Sequence, residues 1–266
     1  MFLFLLLAAA LAEPAMGPPH TISPAWTATH SVQTGTVATL FGAPTPGGAG
    51  GLVDNLHVLG FSPMGHVALF SEPADEAMGG YLWTFTVRDL RRDADVVTLS
   101  WADKEFEYIR TVMDVNQHHG VELMAGLAAH KVQLDPELVV EAFPWTWGGH
   151  TYDVRFEPIP ATDLDYGRRA HVILTATELG EKRIGTVQWT GEGGCCGQPQ
   201  AVVVKSPHEA RAAVIVQAWS RGWEGPPHVL RSTVLGADLV ARFKGGDGSG
   251  AGREAEEPGV GPSVAP

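Results

Sequence analysis

Short runs of β-branched and aromatic residues, each closed by glycine or proline, follow one another through most of this chain, and that punctuation favours a sheet over any other fold. The clearest run is Tyr81 to Val87, where Tyr81, Trp83, Phe85 and Val87 alternate with Leu82, Thr84 and Thr86. A period of two puts one set on each face of a strand. Leu56 to Phe61 and His66 to Ser71 flank Ser62-Pro63-Met64-Gly65. Proline presets φ there and glycine supplies a positive φ, so the two runs form a β-hairpin. Val96 to Leu99 adds a fourth strand, and the short links make the meander antiparallel. Further strands are expected at Leu138 to Ala142, His150 to Phe156, Ala170 to Thr177, Arg183 to Trp189, Ala201 to Lys205, Ala210 to Trp219 and Val229 to Leu235.

Residues 103–132 break the pattern. Phe106, Ile109, Val112 and Met113 share one helical face, and Leu123, Met124, Leu127 and Ala128 repeat it beyond His119-Gly120. This spacing predicts two short helices, or one broken at Gly120. Helices do not alternate with strands, which excludes a parallel α/β fold. The fold class is therefore mainly β: an antiparallel sheet or sandwich with one helical insertion around residues 103–132.

The ends of the chain read differently from its middle. Phe2 to Leu11 is purely apolar and runs into Ala10-Leu11-Ala12, the small-x-small pattern of signal-peptide cleavage. The run is too short to cross a bilayer, which needs roughly 20 residues, but fits a signal h-region. No Lys or Arg precedes it. Residues 1–12 are thus read as a signal peptide, with a mature chain from Glu13 that is secreted or periplasmic. No Cys follows for a lipid anchor, and no second long apolar run exists, so the mature chain is not expected to insert in a membrane. Residues 13–51 form an N-terminal arm ending in a Gly/Pro linker, and 52–243 a single β-rich domain. Residues 244–266, rich in Gly, Glu, Pro, Ala and Ser, are expected to be disordered because they offer too little apolar surface to offset ordering.

Lys and Arg number 18 against 30 Asp and Glu, a net charge of −12. That balance repels phosphate backbones and excludes nucleic acid as a partner.

The Ser-Pro turn has an echo. Leu59-Gly60-Phe61-Ser62-Pro63 followed by Val67-Ala68-Leu69-Phe70 is matched, 144 positions on, by Val203-Val204-Lys205-Ser206-Pro207 followed by Ala213-Val214-Ile215-Val216. Two copies so far apart do not make a propeller. Leu59 to His66, the Ser206-Pro207 turn and Gly222-Trp223-Glu224-Gly225-Pro226 together resemble a family of predicted secreted bacterial proteins of uncharacterised function, over roughly Leu56 to Leu235. The Ser-Pro-x-Gly element also resembles the strand-turn unit of secreted propeller repeats. The chain departs from both: Met64 stands where an Asp is usual, and the second copy has His208-Glu209 with no glycine. The resemblance implies export and assigns no active residues.

Few residues carry a chemical signal. Cys195 and Cys196 are the only cysteines and lie between glycines. In an oxidising compartment they close into a strained vicinal disulfide, persist as thiols, or bridge chains; the glycines permit the first. Two cysteines are too few for a closed zinc site, and no C-x-x-C occurs. His118-His119 is the one adjacent histidine pair, but helix neighbours point about 100° apart, so a surface or capping role fits better than a shared ion. Ser62 is one residue out of register for a nucleophile elbow and reads as a turn residue. Asp163-x-Asp165-x-Gly167 lacks the later glutamate of a calcium loop. No catalytic, cofactor or metal motif is assigned. Trp145, Trp147, Trp219 and Trp223 are either core or a recognition surface, since exposed indoles and arginines recur at binding hot spots.

These readings lead to an exported, non-catalytic envelope or secreted protein that binds another protein or a glycan through its sheet edge and loops. An exported hydrolase with dispersed carboxylates and histidines is the alternative. The ligand and the oligomeric state are not encoded in any motif.

Overall fold

The computed structural model describes residues 31–32, 52–72, 82–102, 112–135, 137–160, 167–190, 198–222 and 225–245. Its elements, in chain order, are β1 (Ser31–Val32), β2 (Leu52–Val53), β3 (Asn55–Phe61), β4 (His66–Glu72), β5 (Leu82–Asp89), β6 (Ala94–Ala102), α1 (Val112–Ala129), β7 (Gln133–Leu134), β8 (Val140–Ala142), β9 (Trp145–Trp147), β10 (His150–Ile159), β11 (Arg168–Ala176), β12 (Gly180–Trp189), β13 (Gln200–Lys205), β14 (Arg211–Gly222), β15 (Gly225–Asp238) and β16 (Lys244–Gly245). Among the described residues the fold is mainly β with one helix, as the punctuation of the sequence requires.

The strands form three sheets. The first has the order β1-β3-β4-β5-β6, with β7 also on β3; the second is β2-β15-β14-β13-β8, and the third is β16-β12-β11-β10-β9. All pairings are antiparallel except β2 with β15, a short parallel contact that no hairpin link could supply.

Core composition sets the layering. Val58, Phe61, Val67 and Leu69 of the first sheet pack against Val202, Val204, Ala213 and Ile215 of the second. The opposite face of the second sheet, with Val203, Val214, Val216 and Leu235, packs against Tyr152, Val172, Leu174 and Val187 of the third. On the outer side of the first sheet, Phe70, Trp83 and Phe85 meet Leu123 and Leu127 of α1. The order is helix, sheet, sheet, sheet. β13 is therefore buried on both faces, which explains its unbroken Ala201-Val202-Val203-Val204 run. β5 has one face on the helix, so Trp83, Phe85 and Val87 are the buried hydrophobic positions of its alternation, which Asp89 ends.

One expectation is corrected. The helix runs through Gly120 without a break. A helical glycine costs only about 1 kcal/mol, and the packing of Leu123 and Leu127 at 2% exposure outweighs it. Gly126 also lets α1 approach β5 closely, since a Cβ there would lie 2.9 Å from the Phe85 ring. Outside residues 52–243, Ser31 and Val32 pair with β3, and Lys244 and Gly245 pair with β12. Phe106 and Ile109, and residues 1–12 with their expected cleavage site, lie outside the described residues, as does the chain beyond Gly245.

Candidate functional site

The Ser-Pro echo is a repeated corner. The Ser62 hydroxyl accepts the Met64 N–H at 3.0 Å, and the Ser206 hydroxyl accepts the His208 N–H at 3.3 Å. Each hairpin then receives a backbone bond from the leucine after the next strand: Leu90 N–H to the Gly65 carbonyl and Leu239 N–H to the Ala210 carbonyl, both 2.9 Å. The aspartates before those leucines act alike. Asp89 Oδ1 accepts from the N–H of Arg91 and Arg92 at 2.8 and 3.2 Å; Asp238 Oδ1 accepts from Val240 and Ala241 at 3.0 and 2.9 Å. Asp89-Leu90 and Asp238-Leu239 were a second legible echo that the hairpin comparison missed, because insertions shift them relative to the Ser-Pro turns.

The two corners touch. Gly65, at φ 85°, leaves room that a Cβ would fill within 3 Å of the Arg91 and Glu209 side chains. Arg91 meets Glu209 at 2.9 Å, Glu209 meets Arg211 at 3.5 Å, and Arg211 meets Asp238 at 2.8 Å. His66 lies beside this chain, edge-on to His130 with ring centroids 5.1 Å apart. Burial lowers its pKa, helped by His130 and Arg91 and opposed by Asp89 and Glu209. A neutral imidazole results at pH 7.

The chain of charges leads into a cleft of about 920 Å³, walled by the Leu90–Asp93 turn, β11, β12 and the segment from Gly236 to Lys244. Lys182 sits under it, donating to the carbonyls of Asp238 and Ala241 and lying 4.1 Å from the Phe243 ring centre. Burial pushes its pKa down to about 8. Burial would raise the Asp238 carboxyl, but the Val240 and Ala241 amides, Arg211 and Lys182 outweigh it and hold it low. An ionised, ion-paired Asp238 is suited to fixing a turn and not to donating a proton.

The sheet edges differ sharply in how they are protected. β1, β2, β7, β8, β9 and β16 are two or three residues long. Beyond β9, the edge of β10 carries Asp153, Arg155, Glu157 and Pro158. β12 carries Lys182 and Arg183 and a bulge opposite Val172/Ile173. On β15, the Gly236 N–H is taken by Asp93 Oδ1 at 2.9 Å. Charge, proline, bulges and side-chain caps are the usual guards against strand addition. β6 is bulged at Val96 but has none of them from Val97 to Ala102: nine residues long in all, it pairs with β5 on one side, and no described strand pairs with the other.

Of the tryptophans singled out from the sequence, Trp145 and Trp147 lie together in one core and Trp219 packs against another. Trp145 is 5% exposed in the core between the second and third sheets. Trp147 is half-buried, with ring centroids 6.5 Å from Trp145 and with the Lys205 ammonium 5.0 Å from its ring. Trp219 is half-buried against the core of the first two sheets. Trp223, Cys195 and Cys196 lie outside the described residues, as do Asp163 and Asp165. His118 is exposed, while His119 stacks on Trp101 at 5.1 Å and bonds Glu122 at 3.3 Å. Among the described residues, no group of three His, Cys, Asp or Glu could hold a metal ion, and no helix is long and apolar enough to cross a membrane. Comparison of the chain with protein-family models, with curated proteins and with solved structures finds no match in any of the three.

Proposed function

We propose that this chain is an exported, non-catalytic interaction module, acting in a secreted or periplasmic setting, and that it takes an extended segment of a partner protein as an added strand on β6. The unguarded β6 edge carries the proposal. Strand addition draws affinity from main-chain hydrogen bonds and specificity from alternate side chains. On β6 the exposed positions Val96, Thr98 and Ser100 alternate with Val97, Leu99 and Trp101, the last group facing the α1 side. A partner with apolar residues at every second position would extend that packed layer. Export is supported by the Phe2–Ala12 leader and by the resemblance to secreted proteins.

The test is selection of extended peptides from a displayed random library on immobilised protein. Wild type should enrich alternating apolar–polar peptides, and a Thr98→Lys/Ser100→Lys variant should lose them while unfolding at the same temperature. No enrichment, or equal enrichment on the variant, defeats the proposal.

A further inference from the structure

The cleft between the three sheets is unrelated to the β6 edge and has its own chemistry. Seven of the chain's 18 Lys and Arg residues line it, against four Asp and Glu. That is a local excess of positive charge on a protein whose net charge is −12. Two of the four acids pair with cations from outside the cleft, Asp93 with Arg88 at 3.1 Å and Glu181 with Arg155 at 2.7 Å, and two of the seven cations pair with acids outside it, Arg91 with Glu209 at 2.9 Å and Arg92 with Asp89 at 3.8 Å. Arg211 and Asp238 satisfy each other at 2.8 Å. Arg183, Arg242 and Lys244 are exposed, and among the described residues none of them forms an ion pair.

The wall that holds two of these cations is built rigidly. Asp238 Oδ1 accepts the Val240 and Ala241 amides, and Lys182 donates to the carbonyls of Asp238 and Ala241. Arg242 follows at φ 66°, a conformation that costs a non-glycine residue about 1 kcal/mol or more and persists only when its surroundings enforce it. Lys244 is then fixed by the pairing of β16 with β12, opposite Glu181, with Lys182 and Arg183 the next two residues along β12. A low-dielectric floor formed by Leu90, Ile173 and Ile184 strengthens the field of these charges.

We infer that this cleft is a binding site for a small multivalent oxyanion, one bearing two or more phosphate or carboxylate groups, held chiefly by Arg183, Arg242 and Lys244. Guanidinium forks match both oxyanions bidentately, and several cations converging in one cleft select for more than one anionic group. Lys182 and Asp238 are positioning residues that hold the Arg242 turn.

Titration calorimetry on the folded chain at low salt, with pyrophosphate, citrate and acetate in turn, tests the inference. Pyrophosphate or citrate should bind, at least tenfold more tightly than acetate, and the affinity should fall as salt rises. Binding of pyrophosphate alone assigns phosphate chemistry, and of citrate alone carboxylate chemistry; either result supports the site. Arg183→Gln/Arg242→Gln should weaken binding at least tenfold with an unchanged unfolding temperature, whereas the β6 lysine variant should leave it as in wild type. No binding of either multivalent anion at low salt, or equal binding by the double variant, overturns the inference and leaves the β6 proposal untouched.

Discussion

Replacing Gly236 by alanine probes how the first sheet is fastened to the second. Gly236 lies in β15 where the Leu90 turn crosses it. A Cβ there would sit 2.2 Å from the Leu90 carbonyl oxygen and 2.8 Å from its carbonyl carbon and Cα. All three are backbone atoms, so no rotamer change makes room. Non-bonded heavy atoms rest at ~3.5 Å, so the two backbones must part by about 1 Å. That displacement strains two bonds in the same place, Gly236 N–H to Asp93 and Leu90 N–H to Gly65, each 2.9 Å. Forcing a methyl into a packed interior costs ~1–3 kcal/mol, and rigid neighbours place this case at about 2–3 kcal/mol. Alanine also narrows the unfolded ensemble, offsetting about 0.4–1 kcal/mol. The net loss is about 1–2.5 kcal/mol, equivalent to roughly 2–10 °C in unfolding temperature for a folded unit of this size. Thermal unfolding followed by circular dichroism reads it directly, and urea unfolding with an unchanged slope would assign the change to stability. An unfolding temperature equal to or above wild type would show that Leu90 does not lie against β15.

Three other outcomes are expected. Tyr152→Phe removes the hydroxyl that donates to the Leu239 carbonyl at 2.6 Å in a fully buried position, and should lower stability by about 1–3 kcal/mol in urea unfolding because that carbonyl is left without its donor. Ser62→Ala and Ser206→Ala each delete a hydroxyl that accepts a turn amide, at 3.0 and 3.3 Å; each should cost about 0.5–1.5 kcal/mol, and a large effect at one site with none at the other would deny that the two corners are equivalent. Lys182 titrates at about 8 in the folded chain and at 10.5 ordinarily, so between those values the unfolded chain holds a proton the folded one has lost. Its contribution to stability is thus least below pH 8 and grows as pH rises toward 10.5. Tyr152, whose pKa burial and Asp238 raise above 10.0, acts oppositely above pH 10, where the unfolded chain ionises first. A wild-type stability profile that fails to exceed that of Lys182→Met in its slope between pH 8 and 10 would refute the Lys182 assignment.

Much of the candidate sites' local structure is legible in the residues, and little of their assembly is. Val96 to Leu99 reads as a strand from β-branching alone, yet that no described strand lies beyond β6 depends on how the whole first sheet pairs. Arg91, Lys182, Arg211 and Arg242 each look like ordinary solvated charge at a turn or strand end, because nothing in their neighbours marks convergence. Trp145 reads equally as a surface or a core residue, and its 5% exposure follows from the third sheet lying over the second.

The sequence by itself determined the strands, the Ser-Pro corners and the single helical interruption, since alternation, proline and glycine act on φ, ψ and the face of a strand within a few residues. Tertiary structure alone decided the rest. Val202 and Val204 turn to the first sheet while Val203 turns to the third, and Gly120 stays helical because Leu123 and Leu127 pack on the first sheet. The cleft exists because three sheets meet where Leu90 crosses Gly236. Burial and electrostatic convergence are sums over residues far apart in the chain, so no local pattern contains them.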